Sequence, residues 1–308
     1  MTSPHMADGA QAWVPRHEDP LFILAMDHRA SLDPEQATAM RSAKRIIFEG
    51  LLAALPMMTS GRAGVLVDEE YGQDVIDGAG HGAVPVVLAV PVEASGHDWF
   101  TLEYGEQWLD HVEQVKPDYA KVLVRDNPEF PALERDQQLM SLVQVTIGLQ
   151  QIGVPLIYEL LVPATDQQLT AAGGDPGRYD REIRPGLVAT VIADNQAHGI
   201  NPALWKVEGL ETVDAARYVA RQVRADGRRA DLLVLGRDAP VDRLNHWLEV
   251  ASQVPEFVGF AIGRSIWEDV IRQYEAADMY DLTAPTVARN EIAARYLNFV
   301  AQWRLFSK

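Results

Sequence analysis

A lysine inside an apolar segment is the first residue of this chain that could do chemistry. Lys206 lies between Trp205 and Val207, and Lys121 lies in another apolar run, residues 119–124. A charged ammonium is unfavourable in such a segment, and a second buried cation nearby adds to the effect, so we expect a neutral amine at Lys206. A neutral amine attacks carbonyl carbons, and the sequence therefore predicts Schiff-base chemistry at this lysine.

Carboxylates occur where such an amine needs a proton shuttle. Glu159 lies in the apolar run 154–161, and Asp27 ends the run 21–27. Because successive residues of a strand point to opposite faces, Lys206 shares a face with Glu208, and Asp27 shares one with Arg29. We expect Glu159 or Asp27 to transfer protons. The alternative is that Lys206 only forms a structural ion pair with Glu208 or Asp27.

Two glycine–arginine pairs indicate an anion site. Gly236 and Gly263 each end an apolar run and are followed by Arg237 and Arg264, and Ser265 comes next, with the spacing of a helix capping box. Glycine permits close backbone approach, arginine donates a fork of hydrogen bonds, and a helix N-terminus favours anions. The pattern predicts a phosphate site, and the alternative is that both arginines pair with surface acids.

A divalent metal is the competing source of catalytic power. Asp68, Glu69 and Glu70 are adjacent carboxylates that could hold magnesium, whereas His28 and the other histidines show no metal-ligand spacing. The sequence therefore favours catalysis without a metal. A metal-dependent sugar-phosphate lyase or isomerase centred on the three acids stays open as the alternative.

Eight apolar runs, each short enough for a buried strand, supply the elements that must position these residues. Their near-continuous apolar character is typical of parallel strands covered on both faces. They occupy residues 21–27, 63–68, 84–90, 119–124, 154–161, 203–208, 231–236 and 258–263. Polar residues follow the runs, as in barrels whose catalytic groups lie at the carboxyl ends of strands. An open doubly wound sheet is disfavoured because no Gly-x-Gly-x-x-Gly follows the first run.

Helical segments separate most of these runs and complete an α/β fold, a single (β/α)₈ (TIM) barrel. Asp33, Pro34 and Gln36 predict a capped helix start. Residues 101–115 are predicted helical, a short turn at 72–80 is expected after the second strand, and residues 163–179 are the candidate for a long active-site loop. A final helix at 285–306 lies beyond the eighth strand. Residues 1–20 are interpreted as a flexible leader and residues 21–308 as the barrel domain.

Net charge, cysteine content and the length of apolar runs limit which partners and which cellular compartment are expected. The formal net charge is −17 and no cysteine occurs, so nucleic acid, anionic membranes and disulfides are not expected. No apolar run is long enough for a membrane span, and the N-terminal residues lack a signal-peptide core. We expect a cytoplasmic protein that binds a small molecule. A homo-oligomer is compatible with the aromatic residues near the C-terminus, Trp303 and Phe306.

Several segments together resemble a known group of enzymes. They are LFILAMDHRASL, DYAKVLVRDN, PLIYELL, LWKVEGLE, LLVLGR and GFAIGRSIW, and the resemblance runs from about residue 21 to residue 303. The chain is similar to the class I tagatose-1,6-bisphosphate aldolase group. Its nearest likeness is to the 2-deoxy-5-keto-gluconate 6-phosphate aldolase-type domain fused to 5-dehydro-2-deoxygluconokinase in inositol catabolism. Ala30 stands where that group commonly has glycine, and a kinase domain before the barrel is not expected.

The resemblance implies a Schiff-base aldolase that needs no metal or other cofactor. It implies Lys206 as the covalent residue, Glu159 as the acid/base, Asp27 with Arg29 as the first-strand pair, and Lys121 as the fourth-strand lysine; Arg264 corresponds to the phosphate region. The implied reaction cleaves 2-deoxy-5-keto-gluconate 6-phosphate to dihydroxyacetone phosphate and malonate semialdehyde.

Within this hypothesis each of the remaining candidate residues has an expected part. The residues expected to contact the substrate are Arg29, Lys121, Glu208 and His28. The two glycine–arginine pairs and Ser265 are expected to bind its phosphate. The alternatives are an aldolase for another ketose phosphate, such as a tagatose bisphosphate or a sulfo-sugar phosphate, and a non-catalytic phosphosugar-binding barrel.

Overall fold

Parallel strands form the centre of the structure. The computed structural model describes residues 13–29, 33–81, 86–277 and 281–307, and within these ranges eight strands hydrogen-bond in sequence order and close as a barrel. The strands are β1 (Leu21–Ala25), β2 (Arg62–Leu66), β3 (Val87–Pro91), β4 (Tyr119–Arg125), β5 (Leu156–Leu161), β6 (Leu204–Glu208), β7 (Asp231–Leu235) and β8 (Phe257–Ile262). The predicted (β/α)₈ barrel is confirmed.

Alternation along the strands divides the apolar side chains between two cores. Leu21, Ile23 and Ile157 belong to the smaller core, which fills the inside of the barrel. Phe22 and Trp205, one position away, belong to the larger core between strands and helices. Residues two apart in a strand share a face, so polar residues in phase with the inner set point into the barrel.

Helices surround the barrel in the described ranges. They are α1 (Pro34–Ala54), α2 (Glu69–His81), α3 (Trp108–Val115), α4 (Ala132–Ile152), α5 (Asp166–Ala171), α6 (Pro176–Arg178), α7 (Arg184–Ala197), α8 (Val213–Val223), α9 (Val241–Ala251), α10 (Arg264–Glu275) and α11 (Ala284–Phe306). The predicted start of α1 is confirmed, because the Asp33 side chain accepts from the backbone N–H of Gln36 and the Gln36 side chain accepts in return. None of these helices is long and apolar enough to cross a membrane.

The connection between β2 and β3 is a helix, and the expectation of a short turn at 72–80 was wrong. The glycines that suggested a turn serve close packing instead. A Cβ on Gly72 would lie 2.1 Å from Val67 Cγ2, and one on Gly78 would lie 2.7 Å from Phe48 Cε1. Glu69 and Glu70 occupy the first turn of α2, where acidic side chains stabilise a helix.

Three further expectations about loops and helix ends were wrong. Residues 163–179 are not a long loop, because they contain α5, capped by Thr165, and α6. Helix α3 begins only at Trp108, since Leu102 forms a β-bridge with Glu93 instead of entering a helix. Helix α10 begins at Arg264 with Gly263 as its N-cap, so Ser265 lies inside the helix and forms no capping box.

Helix α11 covers the barrel beside β1 and β8. The Tyr296 hydroxyl donates to the Phe22 carbonyl oxygen at 2.8 Å, and Trp303 is fully buried with its ring centroid 6.2 Å from that of Phe22. Of the two aromatic residues considered for a subunit contact, Trp303 therefore packs on the barrel of its own chain. Phe306 is half-buried at the end of the helix.

Candidate active site

An amine and a carboxylate meet within the neighbouring strands β5 and β6. The strand register pairs Glu159 with Lys206, and the Lys206 Nζ lies 2.9 Å from the Glu159 Oε2. Both residues are buried, with exposed fractions of 4% for Lys206 and 7% for Glu159. The two side chains that sequence reasoning selected for nucleophile and proton shuttle are therefore in direct contact.

The second lysine, Lys121, is held by three carboxylates. Its Nζ lies 2.8 Å from Asp27 Oδ2, 2.7 Å from Glu93 Oε1 and 3.0 Å from Glu159 Oε2. Burial alone would lower the pKa of Lys121, but the three negative charges outweigh it and raise the pKa well above its ordinary value. Lys121 is therefore a fixed ammonium, and Glu159 lies between it and Lys206.

The carboxylates of this cluster differ in their proton affinity. Burial alone would raise the pKa of Asp27, but Lys121, Lys206 and Arg29 hold it well below its usual range. Burial likewise opposes ionisation of Glu159, and the two lysines still lower the pKa of that carboxyl. At Glu93 burial dominates and raises the pKa, and its Oε2 is buried without a hydrogen-bond partner. Asp27 and Glu159 thus ionise more readily than Glu93.

The cluster forms the floor of a cavity of about 340 Å³ that opens at the carboxyl ends of the strands. All but one of the predicted site residues line it. Those lining it are Asp27, His28, Arg29, Lys121, Glu159, Lys206, Gly236, Arg237, Gly263, Arg264 and Ser265. A cavity of this size is that of a small-molecule site.

Glu208 is the predicted site residue that does not line the cavity. Its Oε1 lies 2.7 Å from Arg237 Nη1, and its Oε2 accepts a hydrogen bond of 3.0 Å from the Val162 backbone N–H. The fully buried Arg184 lies beside it, 3.8 Å away. Although Glu208 is in phase with Lys206, this buried network engages its carboxylate, so the structure does not place it against a ligand in the cavity.

The two predicted anion-binding arginines both pair with acids, as the alternative interpretation expected. Arg237 donates to both carboxylate oxygens of Asp180, at 3.1 and 2.9 Å, besides its contact with Glu208. Its backbone has φ of 46°, uncommon for a residue other than glycine. Arg264 forms an ion pair with Asp238 but remains half-exposed at the cavity.

Backbone at the end of β8 completes this side of the cavity. A Cβ on Gly263 would lie 2.5 Å from the Ala25 carbonyl oxygen, so β1 and the start of α10 approach this closely only with glycine there. No side chain caps the N-terminus of α10. The Ile266 N–H of the first turn donates to the Gly263 carbonyl oxygen, whereas those of Arg264 and Ser265 are available for an anion, as at other helix N-termini.

His28 is fixed between an aromatic ring and a buried lysine. Its ring stacks on Trp267 with centroids 4.6 Å apart, and its carbonyl oxygen accepts a hydrogen bond of 3.0 Å from Lys44 Nζ. Burial and the nearby Lys44 charge lower the pKa of His28 to about 4. The imidazole is therefore neutral at neutral pH and lines the cavity as a hydrogen-bonding group without charge.

Two of the three adjacent acids considered for magnesium have separate partners, and the third, Glu70, is exposed. Asp68 pairs with the fully buried Lys44, and Glu69 Oε2 lies 3.0 Å from His111 Nδ1. Across the described ranges, no three His, Asp or Glu side chains are grouped so as to hold a metal ion. Asp68 thus supports the first turn after β2 instead of facing the cavity.

A family model described as "Uncharacterized protein conserved in bacteria (DUF2090)" matches residues 10–306 of the chain. The chain belongs to this family. No curated protein matches its sequence.

Solved structures similar to this DUF2090 protein share its barrel. Cgl0159 from Corynebacterium glutamicum is 17% identical with a TM-score of 0.56, and the alignment covers 91% of this chain and 86% of that one. A Schiff base forming fructose-1,6-bisphosphate aldolase is 11% identical with a TM-score of 0.55, covering 92% and 94%. At these identities the likeness establishes the fold alone.

Glu93 and the loop that carries it were not predicted from the sequence. Residues 93–100 all line the cavity, whereas the expected loop at 163–179 does not. The signal was available, since Glu93 follows β3 as Asp27 follows β1. It was overlooked because the third apolar run was ended at Val90, and β3 continues through Pro91.

Proposed function

We propose that this DUF2090 protein is a class I aldolase, a carbon–carbon lyase that acts through a Schiff base on Lys206. The observation that carries the proposal is the contact between the buried Lys206 amine and Glu159 at the floor of the cavity. The same barrel is found in an aldolase described as Schiff base forming, so the fold accommodates this chemistry.

In the first step the Lys206 amine attacks the ketone carbon of the substrate. The carbinolamine that forms loses water, leaving an iminium whose positive charge draws electrons from the adjacent bonds. Glu159 is within hydrogen-bond distance of the Lys206 nitrogen, so it takes the proton released there and returns one to the departing hydroxyl. Lys121 keeps Glu159 ionised and ready to accept the proton.

In the second step the bond between the α and β carbons, counted from the iminium carbon, breaks. A carboxylate removes the proton of the hydroxyl on the β carbon, and this carbon becomes the carbonyl carbon of an aldehyde. The electrons of the broken carbon–carbon bond convert the iminium to an enamine. Asp27 is the cavity carboxylate assigned to this proton, because Glu159 serves the nitrogen. Asp27 returns this proton to the enamine carbon, and water then hydrolyses the new iminium to release the ketone product. No cofactor is needed, since the lysine itself provides the electron sink.

The substrate proposed is a phosphorylated keto-sugar acid. Its phosphate would lie against Gly236, Gly263, Arg264 and Ser265, which line one side of the cavity beside the uncapped start of α10. For 2-deoxy-5-keto-gluconate 6-phosphate the products are dihydroxyacetone phosphate and malonate semialdehyde. Arg29 and His28, which follow β1 beside β8, also line the cavity and would contact substrate hydroxyls.

A release assay tests the proposal. The purified protein is incubated with a panel of phosphorylated ketoses and keto-acids, and dihydroxyacetone phosphate is measured by coupled reduction. We expect release from at least one compound, complete loss in Lys206→Met, and normal activity in Lys116→Met, which changes an exposed lysine. Cleavage retained by Lys206→Met would refute the Schiff base, and ligand-induced stabilisation without release would indicate a binding protein.

A further inference from the structure

The arginines that line the cavity differ in whether they form an ion pair with a carboxylate of the protein. Arg29, Arg237 and Arg264 each have a carboxylate partner; these partners are Glu103, Asp180 with Glu208, and Asp238. Arg125 also lines the cavity, and its hydrogen bond is to the His97 carbonyl oxygen at 3.1 Å. No carboxylate of the described residues lies within ion-pair distance of it. Arg125 is thus a half-buried cation whose charge is not balanced locally.

The position of Arg125 in the barrel is opposite the proposed phosphate site. Arg125 is the last residue of β4, and the phosphate site follows β8, four strands away around a closed ring of eight. Lys206 is on β6, two strands from each. A linear substrate that reacts with Lys206 and has its phosphate at α10 therefore extends its other end toward β4.

We propose that Arg125 binds a second anionic group of the substrate, at the end remote from the phosphate. This inference rests on the aldolase function proposed above. A guanidinium presents paired N–H donors that match a carboxylate or a phosphate, and in a partly dehydrated cavity such a charge-assisted contact is strong. The chain as a whole carries a net charge of −17, so a doubly anionic substrate is held only where fixed cations face it.

The arrangement of the cavity predicts separate positions for the donor and the acceptor of the aldol reaction. In the synthetic direction the phosphorylated ketone donor occupies the Lys206 and α10 side, and the aldehyde acceptor occupies the β4 side. Arg125 therefore acts on the acceptor, and its loss leaves Schiff-base formation by the donor unchanged. A residue that only supported the loop at His97 would affect all acceptors alike.

Acceptor selectivity in the synthetic direction is the test. Dihydroxyacetone phosphate is the donor, and the acceptors are malonate semialdehyde, glyceraldehyde 3-phosphate and the uncharged glyceraldehyde. For Arg125→Gln we expect KM to rise on the order of 10- to 100-fold for an anionic acceptor and to stay within about 2-fold for glyceraldehyde. Arg125→Lys should recover part of the loss. The larger effect, on malonate semialdehyde or on glyceraldehyde 3-phosphate, identifies carboxylate or phosphate as the group recognised.

Controls separate failure of this inference from failure of the aldolase proposal. Arg272→Gln, at an exposed arginine of α10, should match the wild type. Calorimetry with 3-hydroxypropionate and the uncharged 1,3-propanediol needs no turnover, and we expect Arg125→Gln to abolish the preference for the anion. Equal losses for all acceptors, or an anion preference that survives in Arg125→Gln, would overturn the role of Arg125. Absence of any borohydride-trapped donor adduct in the wild type would instead overturn the aldolase proposal.

Discussion

Replacing Lys121 by methionine should destabilise the protein strongly and in a pH-dependent way. The Lys121 ammonium is buried with three carboxylates, from Asp27, Glu93 and Glu159, within 3.0 Å of its Nζ. Methionine fills a similar volume but leaves those carboxylates without their shared cation. Removing one partner from a buried ion pair costs about 3–5 kcal/mol, and we expect a loss of this size at pH 7.

The sign of the pH dependence follows from the carboxylates. In the wild type the pKa values of Asp27 and Glu159 are lowered. The two carboxylates therefore contribute to the free energy of unfolding at pH values above the ordinary carboxyl pKa, and this contribution is lost as the pH falls. Without Lys121, desolvation raises these pKa values, and the folded variant takes up protons that the unfolded chain does not. Each extra proton bound by the folded variant reduces its destabilisation by about 1.4 kcal/mol for each pH unit below 7. The stability lost in Lys121→Met should therefore shrink to about 1–2 kcal/mol at pH 5.

Urea unfolding at pH 5 and pH 7 measures both values. Lys116→Met is the matched control, because it makes the same chemical change at an exposed position and should stay within about 0.5 kcal/mol of the wild type. An equal loss for Lys121→Met at the two pH values would refute the reasoning, since it would mean that the buried carboxylates take up no proton when the ammonium is removed.

Three further changes test other parts of the site. Glu159→Gln keeps the size of the side chain but removes the base at the Lys206 nitrogen, so steady-state kinetics should show kcat falling about 10²- to 10⁴-fold with a smaller change in KM; an unchanged kcat would contradict the role. The pKa of His28 lies at about 4 in the folded state, so the stability of the wild type should fall as the pH drops from neutral toward that value. Urea unfolding at pH 4.5 should show that His28→Asn removes about 2 kcal/mol of this loss. Parallel plots of stability against pH for the two proteins would contradict this role of His28. Gly263→Ala puts a Cβ 2.5 Å from the Ala25 carbonyl oxygen, so KM for the phosphorylated substrate should rise at least about 10-fold, and an unaltered KM would count against the phosphate site.

The barrel could be predicted from sequence because its strands are buried on both faces. Each strand is an apolar run, and the position of polar residues after the runs follows from the rule that sites lie at the carboxyl ends. Lys206, Glu159 and Lys121 lie within such runs and Asp27 ends one, so the predicted barrel already grouped these four residues. The contacts themselves required the strand register, which decides that Glu159 lies beside Lys206.

The errors have physical causes that a single sequence hides. Glycines in α2 looked like a turn, although they are required where the helix packs against Val67 and Phe48. Arg237 looked like a phosphate ligand because its partner Asp180 lies 57 positions earlier, in the segment that joins α6 to α7. Which arginines remain free is a property of tertiary ion pairs, and for this reason Arg125 was not selected as a site residue.

Covalent trapping is the most direct test of the central claim. Dihydroxyacetone phosphate is incubated with the protein, borohydride is added, and the adduct is located by peptide mass mapping. The account predicts one reduced adduct, on the peptide that contains Lys206, which is absent in Lys206→Met and present in Lys116→Met. An adduct on Lys121 or no adduct at all would contradict it.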